Sequence, residues 1–334
     1  MATRLSRREC LGALASVAAL PYVGQRSASS AGNTSPKPMR GAFMILTTPF
    51  TAERAVDWDD LIREVTFVDR AGAHGVVWPQ GSSSVASLTK EERLHGMGVL
   101  AGAVRGKRVA LVLGVQGKDT AEMLEYAQHA NSLTPDAVIA MPPTTGQTES
   151  DYREYFRALG KATKLPVIVQ TSGGARNLVP STELIIELAR ELPNFGYVKE
   201  ESEPVVERMK TLVKNRPPMK SVFGANFGLG WLYEMRLGLD GVVTGSAMYA
   251  DVLARIWELH ERGDADRVRD AYSRFLLMRN LSDQIPGADL YVMKKRGIFK
   301  TTATRNRTQY AFTPDEIAEI DYRFAGLSPY LMKG

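Results

Sequence analysis

The chain has 334 residues, 44% of them hydrophobic, which is enough to bury a large core; one α/β barrel of about 250 residues plus extra segments fits that length. Its surplus of 42 Lys and Arg over 37 Asp and Glu belongs to the first 40 residues, which hold six bases and one acid, so the remainder carries 36 of each and offers no electrostatic case for nucleic acid or an anionic membrane. The sole cysteine, Cys10, lies in that same leader, so a mature chain without it has no disulfide, no cysteine metal site and no thiol nucleophile.

The leader opens with Ser6-Arg7-Arg8-Glu9-Cys10-Leu11, continues in an uncharged run over 11–23, and ends in a small, polar stretch to about Pro38. A charged start, a short apolar run and small residues beyond it predict an export signal, and the paired arginines predict the twin-arginine route to the periplasm. Cleavage is expected between Ala28 and Ala31. The apolar run is shorter than the roughly 20 residues that span a bilayer, so no membrane anchor is expected in the mature form.

From Gly41 onward, strands and helices alternate. The expected strands are 41–46, 75–78, 108–115, 136–141, 166–170, 195–199, 220–223 and 241–244. Between them, helical spacing covers 57–71, with Leu61, Val65 and Val68 on one face, then 89–104, 119–133, 150–163, 180–192, a stretch from about 203, the segment after Gly230 and 247–260. Thr89 and Glu92 have the spacing of a capping box at the start of the second helix. Eight strand–helix pairs over 41–262 predict a (β/α)8 barrel, and no phosphate fingerprint follows the first strand to favour an open doubly wound sheet. Residues 263–334 form a C-terminal extension with amphipathic helices at 264–279 and 314–324 and a middle segment around 281–292, placed either on the helical side of the barrel or at a subunit contact.

The sixth strand ends at Lys199. In such a barrel the C-terminal strand ends face the active site. An amine held there is partly desolvated, which lowers its pKa and makes a neutral nucleophile available for Schiff-base formation with a carbonyl. Glu200 follows directly, and strand alternation points it out of the barrel as a structural residue. The glycine-rich run 224–230 and Gly245-Ser246 read as tight turns and close packing, with phosphate binding at a helix N-terminus as the alternative. The four histidines, His74, His95, His129 and His260, have no metal-ligand spacing, so no metal is expected.

The motif Tyr197-Val198-Lys199-Glu200-Glu201-Ser202, placed on a sixth strand, resembles the dihydrodipicolinate synthase / N-acetylneuraminate lyase family. The resemblance extends to Thr48-Pro49-Phe50, Gly224, Gly241-Val242-Val243 and the C-terminal helices. It implies a lyase or aldolase in which Lys199 is the catalytic nucleophile toward a small 2-oxo acid or sugar-acid derivative, with no dissociable cofactor and a homotetramer or homodimer as the assembly. In place of the family's Gly-Thr-Thr-Gly-Glu stands Gln80-Gly81-Ser82-Ser83-Ser84-Val85, which makes Ser82 and Ser83 the carboxylate-binding candidates. Gln170 occupies the place of the family's fifth-strand tyrosine and Thr144 that of the tyrosine after the fourth strand; both are expected to orient substrate. Gly224 and Val243 complete the expected substrate contacts, and Arg176 is the nearest candidate for the arginine that follows strand five.

Without either tyrosine, proton transfer needs a substitute: water, the substrate's carboxylate, Glu200 or Glu201. Dihydrodipicolinate synthase activity itself is not expected on that account, nor from an exported enzyme. The alternative is an exported, non-catalytic barrel that binds a carboxylated ligand.

Overall fold

The computed structural model describes residues 37–305 and 308–333. The leader motif, Cys10 and the expected cleavage site lie outside the described residues. Eight parallel strands close into a barrel in simple sequential order: β1 (Gly41–Ile45), β2 (Gly75–Trp78), β3 (Ala110–Gly114), β4 (Ala137–Ala140), β5 (Val167–Gln170), β6 (Tyr197–Lys199), β7 (Ser221–Gly224) and β8 (Gly241–Thr244), with β8 pairing back onto β1. The helices between them are α1 (Trp58–Arg70), α2 (Lys90–Ala103), α3 (Thr120–Leu133), α4 (Glu149–Ala162), α5 (Thr182–Glu191), α6 (Val205–Lys214), α7 (Trp231–Arg236) and α8 (Ala250–Glu261).

Both faces of each strand are buried, which is why the strands read as continuous apolar runs rather than as alternating patterns. Alternation decides which residues face inward. Phe43, Ile45, Val77, Val112, Ile139 and Phe223 fill the barrel, while Met44, Val76, Leu113, Val138 and Val198 pack outward against the helices. The Phe43 and Phe223 rings meet edge to face at 5.3 Å across the interior. The capping box of Thr89 and Glu92 is present, and Thr148 with Asp151 makes a second at the start of α4.

The extension consists of α9 (Ala265–Leu281), α10 (Ala288–Lys295) and α11 (Pro314–Ala325). Gly287 takes a left-handed φ of 85° and starts α10, so the middle segment becomes helical later than the sequence pattern suggests. α9 packs on α8 on the helical side. The residues after α10 instead return to the C-terminal end of the barrel. Thr301 Oγ1 donates to Phe50 O at 2.8 Å, and Lys300 pairs with Asp57 at 2.7 Å. Arg305 forks onto Glu92 at 2.7 and 2.8 Å and also reaches Ser87 O. Part of the extension therefore straps the loops after β1 and β2, a placement that neither sequence expectation contained.

Candidate active site

Lys199 closes β6 with its side chain inside the barrel and only 4% of the residue exposed. The parallel register sets it between Gln170 of β5 and Phe223 of β7. Burial pulls the amine below the usual lysine range, and the Glu201 carboxylate opposes that shift. Nζ donates to Glu201 Oε1 at 2.6 Å. The same oxygen accepts from Ser172 Oγ, and Ser172 Oγ accepts from Gln170 Nε2 at 3.1 Å. An amine, a carboxylate, a hydroxyl and an amide thus form one chain across two neighbouring strand ends.

The hydrogen-bond inventory orients this chain. Ser172 has one proton, given to Glu201, so its oxygen must receive from the amide nitrogen of Gln170. That leaves Gln170 Oε1 buried without a partner among the described residues. A buried acceptor in that state costs about 1–3 kcal/mol unless something fills it. A substrate hydroxyl or water meets that need.

Glu200 behaves differently from its neighbour. Its side chain is fully buried outside the barrel, where it accepts from Thr171 Oγ1 at 2.8 Å and Ser202 N at 2.9 Å and pairs with Arg208 at 3.0 Å. The expectation that Glu200 is structural agrees with this geometry. Ser172 was absent from the expected site, and Glu201 entered it only as one of several substitutes for proton transfer. The signal that finds them is the period of two: Gln170 and Ser172, like Lys199 and Glu201, are i,i+2 pairs on adjacent strands, so each pair shares a face.

An open cavity of about 510 Å³ lies at the ends of β1, β2 and β8, lined by Thr48, Ser82, Phe227, Gly245, Asp289 and Arg305 among others. Lys199 is not part of its lining. Ser82 reaches this cavity beside Gly245, where an added Cβ would come within 2.6 Å of Ser82 Oγ, so the close approach requires glycine. Ser83 does not face it. Its hydroxyl donates to Leu46 O at 2.6 Å and accepts from Gln80 N at 3.1 Å, and Thr48 Oγ1 binds its carbonyl. Ser83 thus ties the loop after β2 to β1, and its hydroxyl proton is already used.

Gly224 also departs from its expected role. It points outward from β7, and an added Cβ would sit 1.8 Å from Glu234 Oε2. The glycine makes room for a buried glutamate whose carboxyl is pushed up to about 7 by burial. Val243 faces the barrel interior, in register with Phe43. Thr144 and Arg176 are exposed on the loops after β4 and β5.

After β7, Asn226 and Phe227 both adopt left-handed φ, 46° and 53°. Such residues cost about 1–3 kcal/mol each and persist only where surroundings hold them. Arg279 stacks on the Phe227 ring at 4.4 Å and pairs with Asp289 at 3.2 Å, so the extension braces this strained turn at the cavity wall. A larger groove of about 690 Å³ runs along α8 from Asp251 to Glu261, walled also by His74 and by C-terminal residues 329–332, outside the barrel. Among the described residues no group of three His, Cys, Asp or Glu gathers to hold a metal ion, and no helix is long and apolar enough to cross a membrane.

A lysine at the inward end of the sixth strand of a closed eight-stranded barrel joins a match of the Dihydrodipicolinate synthetase family profile over residues 38–299. The chain belongs to this family. The 4-hydroxy-tetrahydrodipicolinate synthase of Parabacteroides distasonis is 27% identical over 240 residues, covering 71% of this chain and 80% of that one. The crystal structure of dihydrodipicolinate synthase from Rhodopseudomonas palustris superposes with a TM-score of 0.77 at 23% identity, covering 88% of this chain and 99% of that one. The chloride-inhibited dihydrodipicolinate synthase of Acinetobacter baumannii, complexed with pyruvate, superposes equally well at 0.77 with 18% identity, covering 87% and 99%. At these identities the structures establish a shared fold.

Proposed function

We propose that this family member is a Schiff-base-forming lyase or aldolase that acts on a small 2-oxo acid or sugar-acid derivative through Lys199. The observation that carries the reading is the amine itself. It ends β6 inside the barrel, burial lowers its pKa, and a carboxylate lies 2.6 Å away to receive its proton. An iminium at that position is an electron sink for breaking or making an adjacent carbon–carbon bond, or for loss of water. Ser82 supplies a hydroxyl at the open cavity for a carboxylate, and the unpartnered Gln170 Oε1 favours a substrate that brings a hydroxyl. Pyruvate bound to the Acinetobacter baumannii relative supports a 2-oxo acid as the carbonyl donor. Gln170 and Thr144 in place of two tyrosines argue against dihydrodipicolinate synthase activity as such. Periplasmic location after twin-arginine export, and a homotetramer or homodimer, complete the proposal.

Reduction with borohydride in the presence of a panel of 2-oxo acids, followed by intact-mass and peptide mapping, tests it. A stable adduct on Lys199 is expected with at least one acid. No adduct with any of them would favour the second reading, a non-catalytic barrel that binds a carboxylated ligand. That reading is favoured by one observation, that the lining of the open cavity does not include Lys199.

A further inference from the structure

We infer that Glu201 is the general acid–base of this site, taking over the proton transfers for which the chain has no tyrosine. This rests on the Schiff-base reading of Lys199. Among the described residues, Glu201 is the side chain that hydrogen-bonds Nζ. Its neighbour Glu200 is committed outside the barrel to Arg208, Thr171 and Ser202. Gln170 cannot exchange a proton near neutral pH, and Ser172 gives its only proton to Glu201. Ser172 and Gln170 are therefore positioning residues, holding the carboxylate oxygen on the amine, and Glu201 is the acid–base group in contact with it.

The proton balance closes on these atoms. Glu201 takes a proton from the Lys199 ammonium, and the neutral amine attacks the carbonyl carbon, forming the carbon–nitrogen bond as the carbonyl oxygen becomes an alkoxide. Protonated Glu201 gives its proton to the alkoxide and takes one back from the attacking nitrogen, which leaves the neutral carbinolamine and Glu201 still protonated. Protonated Glu201 delivers its proton to the departing hydroxyl, which leaves as water. The products are an iminium on Lys199, one water and a carboxylate again, with no external reactant. The carbon next to the iminium carbon lies two bonds from Nζ, so the same carboxylate reaches the proton whose removal gives the enamine. Its return completes bond making or breaking.

The test compares wild type, Glu201→Gln and Glu201→Asp with pyruvate, the simplest enolisable 2-oxo acid. Borohydride trapping at Lys199 is read by mass, and deuterium entry into the pyruvate methyl group in D2O is read by NMR. Wild type is expected to trap and exchange. Glu201→Gln, with a melting temperature near that of wild type, is expected to trap after long incubation but to exchange about 10²–10⁴-fold more slowly. Glu201→Asp keeps the acid and is expected to recover at least about tenfold of that loss. Trapping with exchange at the wild-type rate in Glu201→Gln overturns the inference alone, as does an aspartate variant no better than glutamine. If wild type itself never traps, the Schiff-base reading falls and this role falls with it.

Discussion

The two sides of the barrel mouth are built on different terms. At the ends of β5 and β6, polar groups pair with one another: Lys199, Glu201, Ser172 and Gln170 form a chain that leaves Gln170 Oε1 open, and Glu200, Thr171, Ser202 and Arg208 form another behind it. At the ends of β1, β2 and β8, an open cavity is walled by hydroxyls, a strained Phe227 and residues of the extension, Asp289 and Arg305 among them. A buried charge must be paired before it can be tuned, whereas a binding hydroxyl must be left free. Chemistry and recognition are thus expected to fail separately when each side is altered.

The largest effect is expected from Lys199→Ala, which removes the proposed nucleophile: the borohydride adduct should disappear and turnover should fall by about 10³-fold or more. Adduct formation or turnover at the wild-type rate in that variant breaks the division outright. Glu200→Ala should act on stability instead. It leaves Arg208 with an uncompensated charge in a buried pair, and chemical denaturation should register a loss of about 3–5 kcal/mol. A loss below 1 kcal/mol would mean that the outer chain is not what stiffens the closed side.

Glu234 lies behind β7, at the boundary of the two sides, and links it to pH. Its carboxyl keeps a proton up to about 7 in the folded chain, against an ordinary value of 4.5. Between these values the folded state binds more protons than the unfolded one, so stability falls as pH rises through the window. Glu234→Gln removes that fall: it should gain about 3 kcal/mol over wild type above pH 8 and differ little below pH 4.5. Equal gains at both pH values would point to packing rather than titration.

The finest distinction is between adjacent serines. Ser82→Ala should weaken binding of a carboxylated ligand about tenfold with stability unchanged. Ser83→Ala should leave affinity alone and lower stability by about 1–3 kcal/mol, because Leu46 O and Gln80 N lose their partner. Paired calorimetric titration and thermal unfolding separate the two, and an exchange of the two phenotypes would reverse the assignment.

The alternation of apolar runs with amphipathic stretches determined the eight-fold barrel, because parallel strands covered on both faces must be short, apolar and separated by helices. Capping at Thr89 and the depth of Lys199 follow from local rules of the same kind. The period of two also separates Glu200 from Glu201, since one residue of shift reverses the face. No local rule distinguishes Ser82 from Ser83. They lie in a 3-10 turn after β2, where no strand alternation applies, and distant neighbours, Leu46 and Gly245, decide which hydroxyl is used. Gly224 likewise reads as a turn or a substrate contact until Glu234 arrives from α7, and the extension reads as a cover for the helical side or a subunit contact until Thr301 and Arg305 cross to Phe50 and Glu92. Periodicity determines which face a residue presents; only the closed tertiary structure decides what that face meets.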